Sequence, residues 1–198
     1  MKKVSKGLYL GMIIIFSALG VVFTFVALPM VYDDPEGALG LIFLALLLTV
    51  VGGIFFLILL HKAWKNIQDG YARTTPGKAV GYLFIPLYSF YWFFQAFRGF
   101  AQDYNSYLNR HSIQAPQLSV GLYTSFGVLV LCGIILSRIP GISVVYSIVD
   151  FIIVILIANN LCDAINNLPN YRYNFEYGGQ SNHDVKQRPS SLALVTMR

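Results

Sequence analysis

Asp150 is a single acidic residue inside a long apolar stretch of the sequence, residues 142–162. It follows the start of that stretch by about eight residues, which places it roughly 10 Å deep in a helix that rises ~1.5 Å per residue. A carboxylate at membrane depth is costly and usually functional. Two interpretations are open: Asp150 lines a polar cavity or proton path, or it anchors neighbouring helices as a protonated or paired hydrogen-bond partner of Arg138, Tyr123 or Tyr146. We favour the anchor, because polar groups in membrane helices readily find partners.

A second candidate set lies between residues 86 and 103, with one distant acidic residue, Asp163. Arg98 is expected to extend to the membrane surface, although it could instead pair with Asp103, with Asp163 or with an anionic lipid headgroup. In helical projection Asp163 points away from Asp150, so the two carboxylates form no continuous polar stripe. The remaining candidates in this set are Pro86, Trp92 and Gln95.

Motifs for catalysis, metal binding and nucleotide binding are missing from the sequence. The stretch from Gly70 to Lys78 has too many residues between its glycines for a phosphate-binding loop, and Ala79 replaces the required Ser or Thr. Three scattered histidines and two unpaired cysteines do not give the spacing of a metal site. We therefore predict no catalytic residue, no metal, no cofactor and no enzymatic activity.

The elements that carry these residues are predicted to be membrane helices. Apolar residues make up 56% of the chain and charged residues 12%, with a mean hydropathy of +0.61, whereas soluble domains are about a quarter charged. A hydrocarbon core of ~30 Å takes about 20 helical residues. The fold class is therefore all-α and polytopic, with an uncleaved first helix. The four predicted spans are residues 8–30, 38–60, 118–136 and 142–162.

Residues 79–97 form a further apolar run, interrupted by Pro86. Because proline disfavours a straight helix and freed carbonyls need partners in lipid, we predict a re-entrant or interfacial segment that does not cross. An amphipathic helix is expected over residues 90–109. Residues 1–168 would then form one membrane domain, and residues 169–198 a flexible cytoplasmic tail.

The distribution of basic residues supports that topology. With both termini cytoplasmic and 79–97 not crossing, 13 of the 14 basic residues lie inside and only Arg138 lies outside. If 79–97 crossed, only eight would lie inside, which the positive-inside rule disfavours. The 13 are Lys2, Lys3, Lys6, Lys62, Lys65, Arg73, Lys78, Arg98, Arg110, Arg172, Lys186, Arg188 and Arg198. The net charge of +5 thus reflects orientation and attraction to anionic lipid headgroups, and we predict no nucleic-acid partner.

The stretch TTPGKAVGYLFIPLYSFYWFFQAFRGFAQDYN, from Thr74 to Asn105, occurs with HKAWKNIQDG before it and NNLCDAINNL after it. This combination resembles a group of bacterial four-helix inner-membrane proteins that share a P-G-x-A-V-G-aromatic-x-F-I-P core followed by an aromatic Y-W segment. The resemblance covers about half of the chain. It implies a location in the bacterial inner membrane and this helix arrangement, and it brings no activity.

For function, the leading hypothesis is a non-enzymatic accessory or scaffold subunit of a membrane process. Its support is the lack of catalytic groups and the large aromatic interfacial surface. The alternative is a small oligomeric channel or transporter that uses the broken segment and Asp150. A protein partner or a homo-oligomer is compatible with either hypothesis.

Overall fold

The computed structural model describes residues 3–136, 139 and 141–168. In this part of the chain, the secondary structure consists of helices joined by turns and loops, without a strand. The helices pack as one compact unit. Three of them are long and apolar enough to cross a membrane, namely α1, α2 and α7, while α6 is apolar but only 17 residues long. The helices are α1 (Lys6–Asp33), α2 (Pro35–Asn66), α3 (Pro76–Gly81), α4 (Tyr88–Ala96), α5 (Arg98–Arg110), α6 (Val120–Leu136) and α7 (Ile142–Asn167), with a 3₁₀ turn at Tyr82–Phe84 after α3.

The first two long helices form an antiparallel pair with a very short connection. Asp34 separates them, and its side chain accepts a hydrogen bond from the backbone N–H of Gly37 at 3.0 Å, while a proline begins α2. Small residues let the two backbones approach: a Cβ atom at Gly20 would lie 3.1 Å from the carbonyl oxygen of Ala45. Such close contacts are typical of helix pairs in membranes, where packing replaces the hydrophobic effect.

The ends of four helices meet at one end of the bundle, the end at which α1 begins, called the near end below. Lys6 and Asp163 form an ion pair at 2.8 Å, which joins the start of α1 to the end of α7. The Asn166 side chain accepts from the backbone N–H of Val4 at 2.9 Å and donates to its carbonyl at 3.0 Å.

Two further contacts show which ends of α2 and α6 lie at the near end. Lys62 near the end of α2 donates to the Tyr9 hydroxyl near the start of α1. Asn105 of α5 exchanges two hydrogen bonds of 2.8 Å with the backbone of Leu118, just before α6. Helices α1 and α6 therefore begin at the near end, while α2 and α7 end there.

The segment between α2 and α5 is a helix–break–helix hairpin, made of α3, the 3₁₀ turn and α4. Its arms lie side by side, since Trp92 of α4 donates its indole N–H to the carbonyl of Ala79 in α3 at 3.1 Å. The Trp92 ring also lies 4.8 Å from that of Tyr82. At the tip, Leu87 has a φ of 63°, and the Tyr88 N–H bonds to the Pro86 carbonyl at 2.7 Å. The chain thus returns to the end from which it came.

The predicted amphipathic helix over 90–109 is wrong as a single helix, because the structure divides it into α4 and α5 at Phe97. Phe97 is buried, and its ring lies 5.6 Å from Phe56 and 5.2 Å from Phe126. The carbonyl of Ala96 accepts the indole N–H of the buried Trp64 at 3.0 Å. Packing against α2 and α6 therefore sets a bend that the periodicity did not reveal.

In the sequence, Trp64, Ile67 and Tyr71 follow one another at helical spacing, which predicts that the second helix continues to Tyr71 with one apolar stripe. That prediction is also wrong. The helix ends at Asn66, and Tyr71 is 77% exposed although Ile67 is buried. Gly70 has a φ of +90°, and Asp69 accepts the backbone N–H of Tyr71. Glycine adopts the positive φ of this turn with little strain, and the turn directs the chain away from the helix axis before Tyr71 can join the apolar stripe.

Candidate functional site: a cavity lined by Asp150

A half-open cavity of about 580 Å³ lies among the apolar helices and is lined by α1, α2, the hairpin, α6 and α7. It is lined mainly by apolar and aromatic side chains, with a few hydroxyl groups and one carboxyl group. Two glycines of α2, Gly52 and Gly53, form part of its wall. The residues with polar side chains in the lining are Ser17, Thr49, Ser89, Tyr146, Ser147 and Asp150.

Of the described residues that line this cavity, Asp150 alone has an acidic or basic side chain. Within the described residues, no hydrogen bond or ion pair reaches its carboxyl group. The predicted hydrogen bond with Tyr123 is wrong, because the Tyr123 hydroxyl is buried without a hydrogen-bond partner in the described chain. Tyr146 lines the same cavity but forms no hydrogen bond with Asp150, and Arg138 lies outside the described residues.

The hydroxyl groups of the lining are partly satisfied by their own helices. Thr49 donates to the carbonyl of Ala45 at 2.9 Å, and Ser147 donates to the carbonyl of Ser143 at 2.8 Å. Such bonds within one turn are the usual solution for Ser and Thr in membrane helices. The carboxyl group of Asp150, by contrast, has no hydrogen-bond or ion-pair partner among the described residues.

One wall of the cavity is a cluster of packed phenylalanines contributed by α2, α4 and α6. The ring of Phe93 lies 5.0 Å from that of Phe126 and 4.4 Å from that of Phe97. Phe56 packs on Phe97 and, at 6.2 Å, on Phe126. Ring pairs at these separations hold one another in fixed orientations, so this wall is rigid and presents aromatic surface to the cavity.

A separate polar region lies at the near end, built from α5 and the loop of residues 67–75; this region is called the platform below. Arg73 pairs with Asp103 at 2.8 Å and also reaches the side chain of Gln102 at 3.1 Å. Arg110 pairs with Asp69 at 2.7 Å, and the ring of His111 lies 3.3 Å from the same carboxylate. The loop and α5 are thus fastened together at two points.

The environment of Asp69 favours its charged form. Burial alone would raise the pKa of this carboxyl group, but hydrogen bonds from Arg110, from the backbone N–H of Tyr71 and from His111 outweigh it, together with the charge of Arg110. The resulting pKa lies below the ordinary value of an aspartic acid. Asp69 is therefore an ionised structural partner at neutral pH and is unsuited to act as a general acid.

The candidate residues that lie outside the cavity mostly contribute to the structure of the hairpin and of the platform. Gln95 accepts from Arg73 at 3.4 Å and donates to the Tyr91 hydroxyl at 2.9 Å. Trp92 joins the arms of the hairpin, and Pro86 lies at its break. Arg98 is exposed. The structure does not bring these residues together with Asp150.

The proposed pairing of Arg98 with Asp103 or Asp163 is wrong for the described chain. Asp103 is bound by Arg73, and Asp163 by Lys6. Sequence reasoning missed the two platform pairs, Arg73–Asp103 and Arg110–Asp69, because their partners are 30 and 41 residues apart. No spacing pattern could have found them.

Comparisons of the chain with protein-family models, with curated proteins and with solved structures found no match. The resemblance to four-helix bacterial membrane proteins stays a prediction. Among the described residues, no three His, Cys, Asp or Glu side chains are placed to hold a metal ion.

Proposed function

We propose that α6 is a fourth membrane span and that the hairpin is a re-entrant segment, with the near end facing the cytoplasm of a bacterial inner membrane. At ~1.5 Å per residue, the 17 residues of α6 extend roughly 25 Å, close to the hydrocarbon thickness. The hairpin as a whole begins and ends at the near end, which favours a segment that enters and returns. The basic residues of the sequence favour the same orientation.

Within that arrangement, the function that the structure supports best is a non-enzymatic accessory or scaffold subunit that presents the platform to a protein partner. The observation that carries this proposal is the pair of ion pairs Arg73–Asp103 and Arg110–Asp69. They fasten the loop to α5 and occupy the carboxylates of Asp69 and Asp103, so that the exposed charged side chains without a described partner nearby are cationic. Those charges belong to Lys65, Lys78 and Arg98.

A surface whose exposed cations have no partner among the described residues suits an acidic protein segment, and anionic lipid headgroups would compete for the same charges. Among the described residues, the platform brings His111 to Asp69, but Arg110 binds the same carboxylate, which favours a structural use of this pair over an enzymatic one. Asp69, Asp103 and Asp163 each already have a cationic partner.

The proposal is tested by gentle extraction of the full chain from its native membrane, followed by mass spectrometry of whatever remains bound. We expect a foreign protein at a fixed stoichiometry. The double variant Lys78→Gln, Arg98→Gln should reduce that protein at least fivefold, because each rim charge contributes modestly to association. The control variant Glu36→Gln, in the first turn of α2 at the opposite end of that helix, should retain it. A homogeneous homo-oligomer, or equal retention in both variants, would exclude the scaffold role.

The second candidate is a small oligomeric channel or transporter. It is favoured by one observation, the cavity that the hairpin and Asp150 line together at the depth of the apolar helices. Broken segments at membrane depth normally line cavities. A pure homo-oligomer in the extraction experiment would support this candidate instead.

A further inference from the structure

We propose that the cavity lined by Asp150 binds a lipophilic organic cation, that is, an apolar or aromatic molecule that carries one ammonium or phosphonium charge. The proposal concerns a different part of the molecule from the platform and does not depend on the scaffold role. It rests on the proposed membrane placement only for the route of entry, since a lipophilic molecule would reach the cavity from the hydrocarbon.

The first argument is charge. A carboxylate among apolar side chains is costly to desolvate unless a counter-charge or good hydrogen bonds compensate that cost. Among the residues that the structure describes, no cationic side chain lines the cavity with Asp150, and the hydroxyl groups of Thr49 and Ser147 already donate to their own helices. A bound cation would supply the missing counter-charge. An anionic molecule, or a lipid phosphate, would instead be repelled.

The second argument is the aromatic wall. The cavity is lined by Phe93, Phe126 and Phe151 as well as by Tyr146, which is on the same helix as Asp150. A cation over an aromatic face is attracted by the ring electrons, and most strongly where water is excluded. Apolar molecules without charge would use the same rings but would leave the carboxylate unpartnered. The Asp150 carboxylate and the aromatic rings together therefore favour a cation with an apolar body.

The third argument is size. A cavity of about 580 Å³ falls in the range of roughly 300–1,000 Å³ that is typical of small-molecule sites. Its walls include the rigid phenylalanine cluster, so the space is formed before any ligand arrives. Preorganised walls reduce the entropy that a ligand must lose on binding.

The probe for the first experiment is radiolabelled tetraphenylphosphonium, measured by equilibrium dialysis with the purified full chain in detergent micelles. We expect saturable binding to the protein above the micelle background. Tetraphenylborate, which has the same shape and the opposite charge, should neither bind saturably nor compete. Equal binding of the two ions would overturn the proposal, because it would show an apolar site without charge selection.

Matched variants locate the site. Asp150→Asn should weaken tetraphenylphosphonium binding at least tenfold, because the amide keeps the shape and loses the charge. Asp163→Asn is on the same helix but outside the cavity, in the pair with Lys6, and should bind as the parent chain does. Unchanged affinity in Asp150→Asn would contradict the proposal.

A steric pair of variants keeps the test decisive if the Asp150 variant fails to fold. A Cβ atom at Gly53 would meet no atom within 4 Å, and Gly53 lines the cavity, so Gly53→Leu should fill the space without a clash at the backbone. Gly40 on the same helix has equally open surroundings and lies outside the cavity. We expect Gly53→Leu to abolish saturable binding and Gly40→Leu to retain it. Equal binding in both would overturn the proposal, whatever the extraction experiment shows about a partner.

Discussion

At the scale of single residues, Asp69 joins the end of α2 to the end of α5 through its bonds with Arg110, His111 and the backbone of Tyr71. Because these bonds lower the pKa of Asp69 in the folded protein, they stabilise the fold above the unfolded pKa and cease to do so as the pH falls through the folded pKa. Asp69→Asn should therefore lose about 1 kcal/mol of unfolding free energy at pH 7, the scale expected for a partly exposed ion pair.

Thermal unfolding of the parent chain and of Asp69→Asn in detergent, from pH 7 down to pH 3, measures this effect. The difference between the two proteins should shrink as the pH falls, because protonation of Asp69 removes what the variant lacks. Asp33→Asn is the control, since Asp33 is exposed at the end of α1 and such positions usually change stability by less than about 0.5 kcal/mol. A difference that persists undiminished at pH 3 would show that Asp69 stabilises the fold in some other way.

At the scale of elements, the hairpin tip holds a strained turn at Leu87. With φ 63° and ψ −45° and a hydrogen bond from Tyr88 back to Pro86, it is a γ-turn of the rare type that L residues adopt at a cost of about 1–3 kcal/mol. The Leu87 side chain is 82% exposed, so little packing is lost when it is removed. Leu87→Gly should therefore raise the unfolding free energy by up to about 1 kcal/mol, once the entropy of glycine is deducted.

Thermal unfolding of Leu87→Gly and Leu87→Val in the same detergent measures the strain. The β-branched valine is less tolerant of positive φ and should lower the unfolding temperature. Two variants that are destabilised to the same extent would show that the side chain, rather than the backbone conformation, determines stability at the tip.

At the scale of the whole molecule, the near end gathers the start of α1, the ends of α2 and α7, and the loop between α5 and α6. Cysteine labelling tests the proposed orientation of this end in cells, in a background with Cys132→Ala and Cys162→Ala. Ser112→Cys lies in the α5–α6 loop and Glu36→Cys in the first turn of α2. An impermeant maleimide should label Glu36→Cys in spheroplasts and Ser112→Cys only after permeabilisation. Labelling of both Glu36→Cys and Ser112→Cys from outside would overturn the four-span topology with its re-entrant hairpin, and labelling of Ser112→Cys alone would reverse the proposed orientation.

The sequence alone determined the long helices, because an apolar run of membrane length has few alternatives once its backbone must bond internally. It also placed the break at Pro86, since proline removes a donor and obstructs the preceding turn. Both are local properties, which the residues in one stretch of chain decide. The bend at Phe97 was missed because it depends on packing against Phe56 of α2 and Phe126 of α6, which are distant in sequence.

Only the tertiary structure decided what surrounds the polar residues. From the sequence, Asp150 was an anomalous carboxyl group for which we favoured a hydrogen-bonded anchor; the fold places it in the wall of a cavity, with no partner among the described residues. Arg98 was expected to extend to the membrane surface, with Asp103 as one alternative partner, and the fold brings Arg73 to that carboxylate from 30 residues away. Hydropathy and periodicity report which residues avoid water, but a side chain's partner is set by which helices pack together.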